Sequence, residues 1–356
     1  MTLIIAEAGV NHNGSDELAY ALVDAAYHAG ADIVKFQTFK AKNIVTREAE
    51  QADYQTRNSG QKESQYLMLK RLELSFESHY KLVQYCQELG IEFLSTAFDS
   101  ESLNFLVNDL GIKRLKLPSG EITNAPLVLE HARTGCDLIV STGMATLAEI
   151  EQALSVIAFG YLNPSSNPTF DQLQAAYFSD EGKRLLKQKV TLLHCTTEYP
   201  APFNDINLNA MSTMSDSFKL AVGYSDHSEG ITVPIAAVAK GAVLIEKHFT
   251  VDKSLPGPDH KASLDPAELK GMVEGIRTVE KALGDGIKGP RPSEVKNKTV
   301  ARKSLVAAKD IALGDIFNED NLTVKRPGNG VSPIKYWSYL GCQSQRAYKI
   351  GELINE

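Results

Sequence analysis

The chain has 356 residues, 43% hydrophobic and 23% charged, an ordinary globular balance that excludes a disordered, collagen-like or coiled-coil chain. A net charge of −7 argues against nucleic-acid binding, which needs a concentrated basic face, and no apolar run approaches the ~18–20 residues of a membrane helix. No Lys or Arg precedes Lys35, and Cys86, Cys136, Cys195 and Cys342 form no CxxC pair; this reads as a reduced, cytoplasmic protein with neither signal peptide nor zinc-thiolate site.

Short apolar runs of strand type fall at residues 3–6, 32–36, 91–95, 114–117, 138–141, 190–194, 220–224 and 243–247. Amphipathic helical patterns lie between them, as at 17–29, 78–89, 147–158 and 266–283. Near-continuous apolar strands alternating with helices mean a parallel sheet buried on both faces. Eight such units over residues 1–285 predict an α/β fold of the (β/α)8 type, a TIM barrel. A doubly wound sheet would place a GxGxxG turn after the first strand, and Gly9-Val10-Asn11-His12-Asn13-Gly14 is not that pattern. Residues 40–73, rich in Gln and Glu, read as an elaborated loop, and residues 163–189 as a second insertion.

After Gly284 the texture changes. Gly286, Gly289, Pro290 and Pro292 predict a linker over 286–295. Residues 296–356 carry short strand-like runs and turns, the signature of a small, mostly β domain. From residue 286 onward twelve Lys and Arg face seven Asp and Glu, a balance of +5 that leaves −12 on the rest. An acidic body and a basic tail can attract each other within or between subunits.

In a barrel the chemistry gathers at the C-terminal ends of the strands. Polar residues recur there: Glu7; Lys35 and Gln37; Ser95, Thr96 and Asp99; Lys116, Ser119 and Glu121; Ser141 and Thr142; the stretch 194–199; Ser225, Asp226 and His227; Glu246, Lys247 and His248. Lysines with hydroxyl groups suit a phosphate and a carboxylate. Histidines on two adjacent strand ends, His227 and His248, can share one metal and leave positions open for substrate. A Glu inside an apolar strand is costly unless paired or functional, so Glu7 is either a salt-bridge partner of Lys35 or Lys116 or part of the chemistry.

The motifs IIAEAGVNHNG (4–14), VKFQTF (34–39), KLPSGE (116–121), STGM (141–144), LLHCTTEYP (192–200), GYSDH (223–227), EKHFT (246–250), PGPDH (256–260) and KRPGNG (325–330) span nearly the whole chain. With them the sequence resembles the bacterial N-acetylneuraminate (sialic acid) synthase family, which uses phosphoenolpyruvate. The resemblance implies a barrel followed by a small antifreeze-like, or SAF, domain, and a domain-swapped homodimer in which each small domain covers the partner's barrel mouth. It implies condensation of phosphoenolpyruvate with the open-chain aldehyde of an N-acetylated mannosamine, consuming water and releasing phosphate.

Carried onto this chain, the resemblance makes His227 and His248 ligands of a divalent metal, Mn2+ or Mg2+. Lys35, Thr96, Lys116, Ser119, Ser141 and Ser225 match positions that bind phosphoenolpyruvate. Gln37, Tyr199 and Asp259 match sugar-binding positions, and Thr197 falls in a sugar-facing stretch. Glu7 matches an essential carboxylate, Glu121 a residue near the attacked carbon, and Arg326 an arginine that reaches the partner's sugar. Family members often carry Asn just after the HC pair of the sixth strand, where this chain has Thr196 and Thr197. The first expectation for the sugar is N-acetylmannosamine, giving N-acetylneuraminate. The alternative is 2,4-diacetamido-2,4,6-trideoxymannose, giving N,N'-diacetyllegionaminate. Two other classes compete: a Schiff-base aldolase using Lys35 or Lys116, and a non-catalytic ice- or glycan-binding protein.

Overall fold

The structure, a computed structural model, describes residues 1–59 and 62–355, with backbone only at residue 59. The chain forms two compact units, Met1–Gly284 and Asp285–Glu356.

In the first unit eight parallel strands close into a barrel in sequence order. They are β1 (Leu3–Gly9), β2 (Ile33–Thr38), β3 (Glu92–Ala97), β4 (Arg114–Leu117), β5 (Asp137–Ser141), β6 (Val190–His194), β7 (Ala221–Asp226) and β8 (Leu244–His248). This is the expected (β/α)8 architecture. Alternate residues of a strand face opposite sides of a sheet, and the barrel uses both sides. Inside, Ile5, Ile33, Leu94, Ile139, Leu193 and Leu244 pack into one apolar plug, each side chain contributing ~1.5–3 kcal/mol on burial. Outside, the other parity, such as Ile4, Val34, Leu115, Val140 and Ile245, meets the helices. One strand position pair above the plug, the inward parity turns polar.

The helices start where the sequence signals them. Thr146 and Glu149 form a capping box before Leu147–Leu162, and Asp265 and Glu268 form another before Pro266–Leu283, with Pro266 in the first turn. Where a loop was expected over residues 40–73, the described residues carry helices Ala41–Ile44, Asp53–Ser59 and Gln65–Leu72. Met68 and Leu72 pack with Val10 and Phe39 into a satellite apolar cluster; few apolar residues suffice because the cluster leans on the barrel top. The second insertion folds as helices Phe170–Phe178 and Asp180–Lys189.

In the second unit β9 (Ser304–Ala307) pairs antiparallel with β10 (Leu322–Lys325). Leu305, Ala307, Ile311, Phe317, Leu322, Val331, Tyr348 and Ile354 form its core. Part of the stretch read as linker is a helix, Pro292–Ala301. Proline is tolerated there because a first-turn N–H has no intrahelical partner. Among the described residues no helix is long and apolar enough to cross a membrane.

Candidate active site

The polar rung above the plug forms the floor of a cavity of about 430 Å³ at the C-terminal ends of the strands, a volume in the range of small-ligand sites. The alternation delivers the floor residues in register: Glu7 opposite both Lys35 and His248, Thr96 opposite Lys116, and Ser225 opposite Glu246.

Four buried charges occupy this floor. Lys35 Nζ lies 2.5 Å from Glu7 Oε2 and 3.5 Å from Glu246 Oε2, and donates to Thr96 Oγ1 at 3.1 Å. Lys116 Nζ donates to both oxygens of Glu246, at 2.6 and 2.8 Å, and Ser225 Oγ donates to Glu246 Oε1 at 2.8 Å. Gln37 Nε2 reaches Glu7 Oε1 at 3.5 Å. The two carboxyl groups are driven apart. Burial alone would push both up, and it takes Glu7, with Lys35 as its nearest cation, to about 7. At Glu246 burial is outweighed by Lys116 and then Lys35, which hold it far below the usual carboxylate range. Burial lowers Lys116; at Lys35 burial also acts downward, but Glu246 and Glu7 raise it on balance.

On one wall His227 and His248 face each other with ring centroids 5.7 Å apart. Tyr199 lies 4.1 Å from the His227 ring and 5.6 Å from the His248 ring. Burial holds both imidazoles neutral, His227 at about 4 and His248 well below its ordinary value. His227 Nδ1 donates to the Thr196 carbonyl at 2.6 Å, which fixes the tautomer and leaves the Nε2 lone pair free. His248 Nδ1 is buried without a hydrogen-bond partner, and Asp259, whose carboxyl burial raises to about 6, stands 4.0 Å away. Neutral, oriented imidazoles with an orphaned nitrogen are what a divalent cation needs, so the residues fit a metal. No group of three or more His, Cys, Asp or Glu is gathered as a ready-made cluster among the described residues. A cation held here would draw its remaining ligands from substrate or water.

Ser119, Ser141, Glu121 and Thr197 line the same cavity. Ser119 Oγ accepts from the Gly143 N–H at 3.0 Å and lies 3.2 Å from Cys195 Sγ. Thr197 Oγ1 is buried and unpartnered. A Cβ on Gly143 would stand 2.2 Å from that oxygen and 2.8 Å from Ser119 Oγ, so any side chain there would force Thr197 and Ser119 to move. Glu121 is half-buried near the mouth, its Oε2 accepting from Asn124 at 2.7 Å. Every barrel residue to which the resemblance assigns a role thus lines one cavity. Arg326 belongs to the second unit, where it is exposed just after β10.

Four contributors had not been singled out as site residues. Glu246 is the hub of the charge cluster, and its signal was the alternation Leu244, Glu246, His248 along one strand face. Tyr54 and Gln55 line the cavity from the segment 40–73, where no strand register announced them. Asn58 ties that segment down by donating to the carbonyls of Tyr199 and Pro258, at 3.2 and 2.9 Å.

Fold and site together define a TIM-barrel protein with a cavity at its strand ends where two lysines and two carboxyl groups pair beside two buried histidines. Residues 22–288 match the NeuB family and residues 302–354 the SAF domain. The chain is 51% identical over 355 residues to the N,N'-diacetyllegionaminic acid synthase of Campylobacter jejuni, covering 100% of this chain and 99% of that protein. It is 47% identical to the protein of the same name from Legionella pneumophila, over 95% of this chain and 89% of the relative. A crystal structure of N-acetylneuraminic acid synthetase from Leptospira borgpetersenii superposes with a TM-score of 0.66 at 33% identity, covering 83% of this chain and 90% of that one. The chain belongs to the NeuB family of nonulosonate synthases and carries the SAF domain.

Proposed function

We propose that the protein condenses phosphoenolpyruvate with 2,4-diacetamido-2,4,6-trideoxymannose and water to give N,N'-diacetyllegionaminate and phosphate. The observation that carries the choice of sugar is 51% and 47% identity, nearly end to end, to two proteins named for that product. It moves the reading from N-acetylmannosamine, the first expectation, to the alternative. Thr196 and Thr197, where Asn is common in sialic acid synthases, agree with the change.

In this reading C3 of phosphoenolpyruvate bonds to the aldehyde carbon of the open-chain sugar, whose oxygen takes a proton. Water adds at C2, and the C2–O bond to phosphate breaks. Lys35 and Lys116, with Thr96, Ser119, Ser141 and Ser225, hold the phosphate and carboxylate through the reaction. Fixed ammonium and hydroxyl donors stabilise charge that moves onto the departing phosphate. Glu7 and Glu121 are the carboxyl groups placed to steer the water, one anchored on the floor by Lys35 and the other at the mouth. Gln37, Tyr199, Thr197 and Asp259 orient the sugar. His227 and His248 would hold Mn2+ or Mg2+, imidazole nitrogens favouring manganese. Such a cation supplies Lewis acidity toward the sugar carbonyl and positive charge to a floor whose two ammonium groups already face two carboxyl groups. Arg326 would act on the sugar of a partner subunit in a domain-swapped homodimer, where the basic tail meets an acidic barrel.

A Schiff-base mechanism fits less well. It needs an unprotonated amine; Glu246 and Glu7 raise Lys35, and Lys116, although burial lowers it, donates to both oxygens of Glu246. The test is incubation with phosphoenolpyruvate, Mn2+ and the diacetamido sugar. One phosphate released per product, with the mass of the condensed acid, is expected. Borohydride-trapped lysine and no phosphate would overturn the proposal.

A further inference from the structure

One buried ion pair takes no part in the chemistry above. Lys247 Nζ lies 2.7 Å from Asp226 Oδ2, and neither side chain has measurable exposure. The two residues are direct neighbours across β7 and β8. Ser225 and Glu246 line the cavity, so by alternation Asp226 and Lys247 point the other way, toward the helices. They cannot touch a substrate on the floor.

Their sequence neighbours are the histidines: Asp226 precedes His227 and Lys247 precedes His248. Asp226 Oδ1 accepts from the Ser228 N–H at 3.0 Å, from Ser228 Oγ at 2.8 Å and from Tyr224 OH at 3.1 Å. Lys247 also donates to the Ser228 carbonyl. The backbone on both sides of His227 is therefore tied to the residue that carries His248. A buried ion pair is weak evidence for stability, because desolvation offsets the attraction. Its best-supported use is to fix one geometry among several, and outer partners of metal ligands commonly have that role.

We infer that Asp226, Lys247 and Ser228 are positioning residues that set the spacing and orientation of His227 and His248 for a divalent cation. This rests on the two-histidine metal reading above. The experiment is titration calorimetry of the full-length protein with Mn2+ alone, for wild type, His227→Ala and the charge-free Asp226→Asn/Lys247→Met variant. Circular dichroism checks that each is folded. The double variant is expected to stay folded and to bind Mn2+ about 10–100-fold more weakly. A folded double variant with wild-type Mn2+ affinity would overturn the inference while leaving the metal reading intact. Wild-type affinity in His227→Ala would instead remove the metal reading and the inference with it. Should the double variant not fold, Ser228→Ala decides the matter: a weaker Mn2+ isotherm supports the inference, and an unchanged one overturns it.

Discussion

Glu246→Gln is the sharpest probe of the charged floor. The carboxylate accepts two hydrogen bonds from Lys116 and one from Ser225, with Lys35 at 3.5 Å. Glutamine keeps the shape and one acceptor oxygen but leaves the Lys116 ammonium buried without a counter-charge. Breaking a buried pair on one side costs about 3–5 kcal/mol, and the retained acceptor places this case near 3 kcal/mol. For a barrel of this size that lowers the melting temperature by roughly 6–12 °C. Removing both charges, as in Lys116→Met/Glu246→Leu, leaves Lys35 matched by Glu7 alone. Replacing both members of such a pair is often neutral, so the double variant should melt well above the single. Thermal melts of wild type, Lys116→Met, Glu246→Leu and the double give the coupling energy, expected at about 2 kcal/mol or more. A Glu246→Gln barrel melting within about 1 °C of wild type, or single costs that simply add, would refute the reasoning.

Gly143→Ala should cut turnover at least about tenfold in a folded protein, because a Cβ there meets the oxygens of Thr197 and Ser119; normal kcat would show that the turn yields freely. His131 is fully buried, its Nδ1 donating to the Leu127 carbonyl at 2.8 Å, and burial lowers it to about 4. The unfolded chain binds that proton first as pH falls, so its contribution is complete above pH ~6.5 and lost on the way down to about 4, on the order of 3 kcal/mol. His131→Phe should flatten the acid limb of urea stability by that amount, and an unchanged limb would assign the acid sensitivity to other groups. Arg326→Ala should raise KM for the sugar far more than for phosphoenolpyruvate. Mixing it with His227→Ala subunits should restore part of the activity if the arginine serves the partner's site, and no recovery would contradict the swapped arrangement.

Much of the barrel was legible because strand register is a local property. The runs at 114–117 and 190–194 coincide with β4 and β6, and the others differ by a few residues at their ends. Alternation carried the site as well: Ile5 to Glu7, Ile33 to Lys35, Leu94 to Thr96 and Ile139 to Ser141 each step from plug to floor. The same step from Leu244 to Glu246 makes the hub carboxylate readable on the same terms. Tyr54 and Gln55 were not readable, since helix 53–59 is placed by tertiary contacts such as Asn58 with Tyr199 and Pro258. The choice of sugar was no more accessible, because it rests on identity spread along the whole chain and not on any one residue. Composition under-read residues 40–73, whose short helices draw stability from a few apolar contacts and not from long amphipathic periods.

The central claim is tested most directly by kcat/KM for phosphate release with phosphoenolpyruvate and Mn2+, comparing 2,4-diacetamido-2,4,6-trideoxymannose with N-acetylmannosamine. A preference of at least about tenfold for the diacetamido sugar is predicted, the scale on which a pocket separates substrates by one substituent. Faster turnover of N-acetylmannosamine would contradict the account and make the protein a sialic acid synthase.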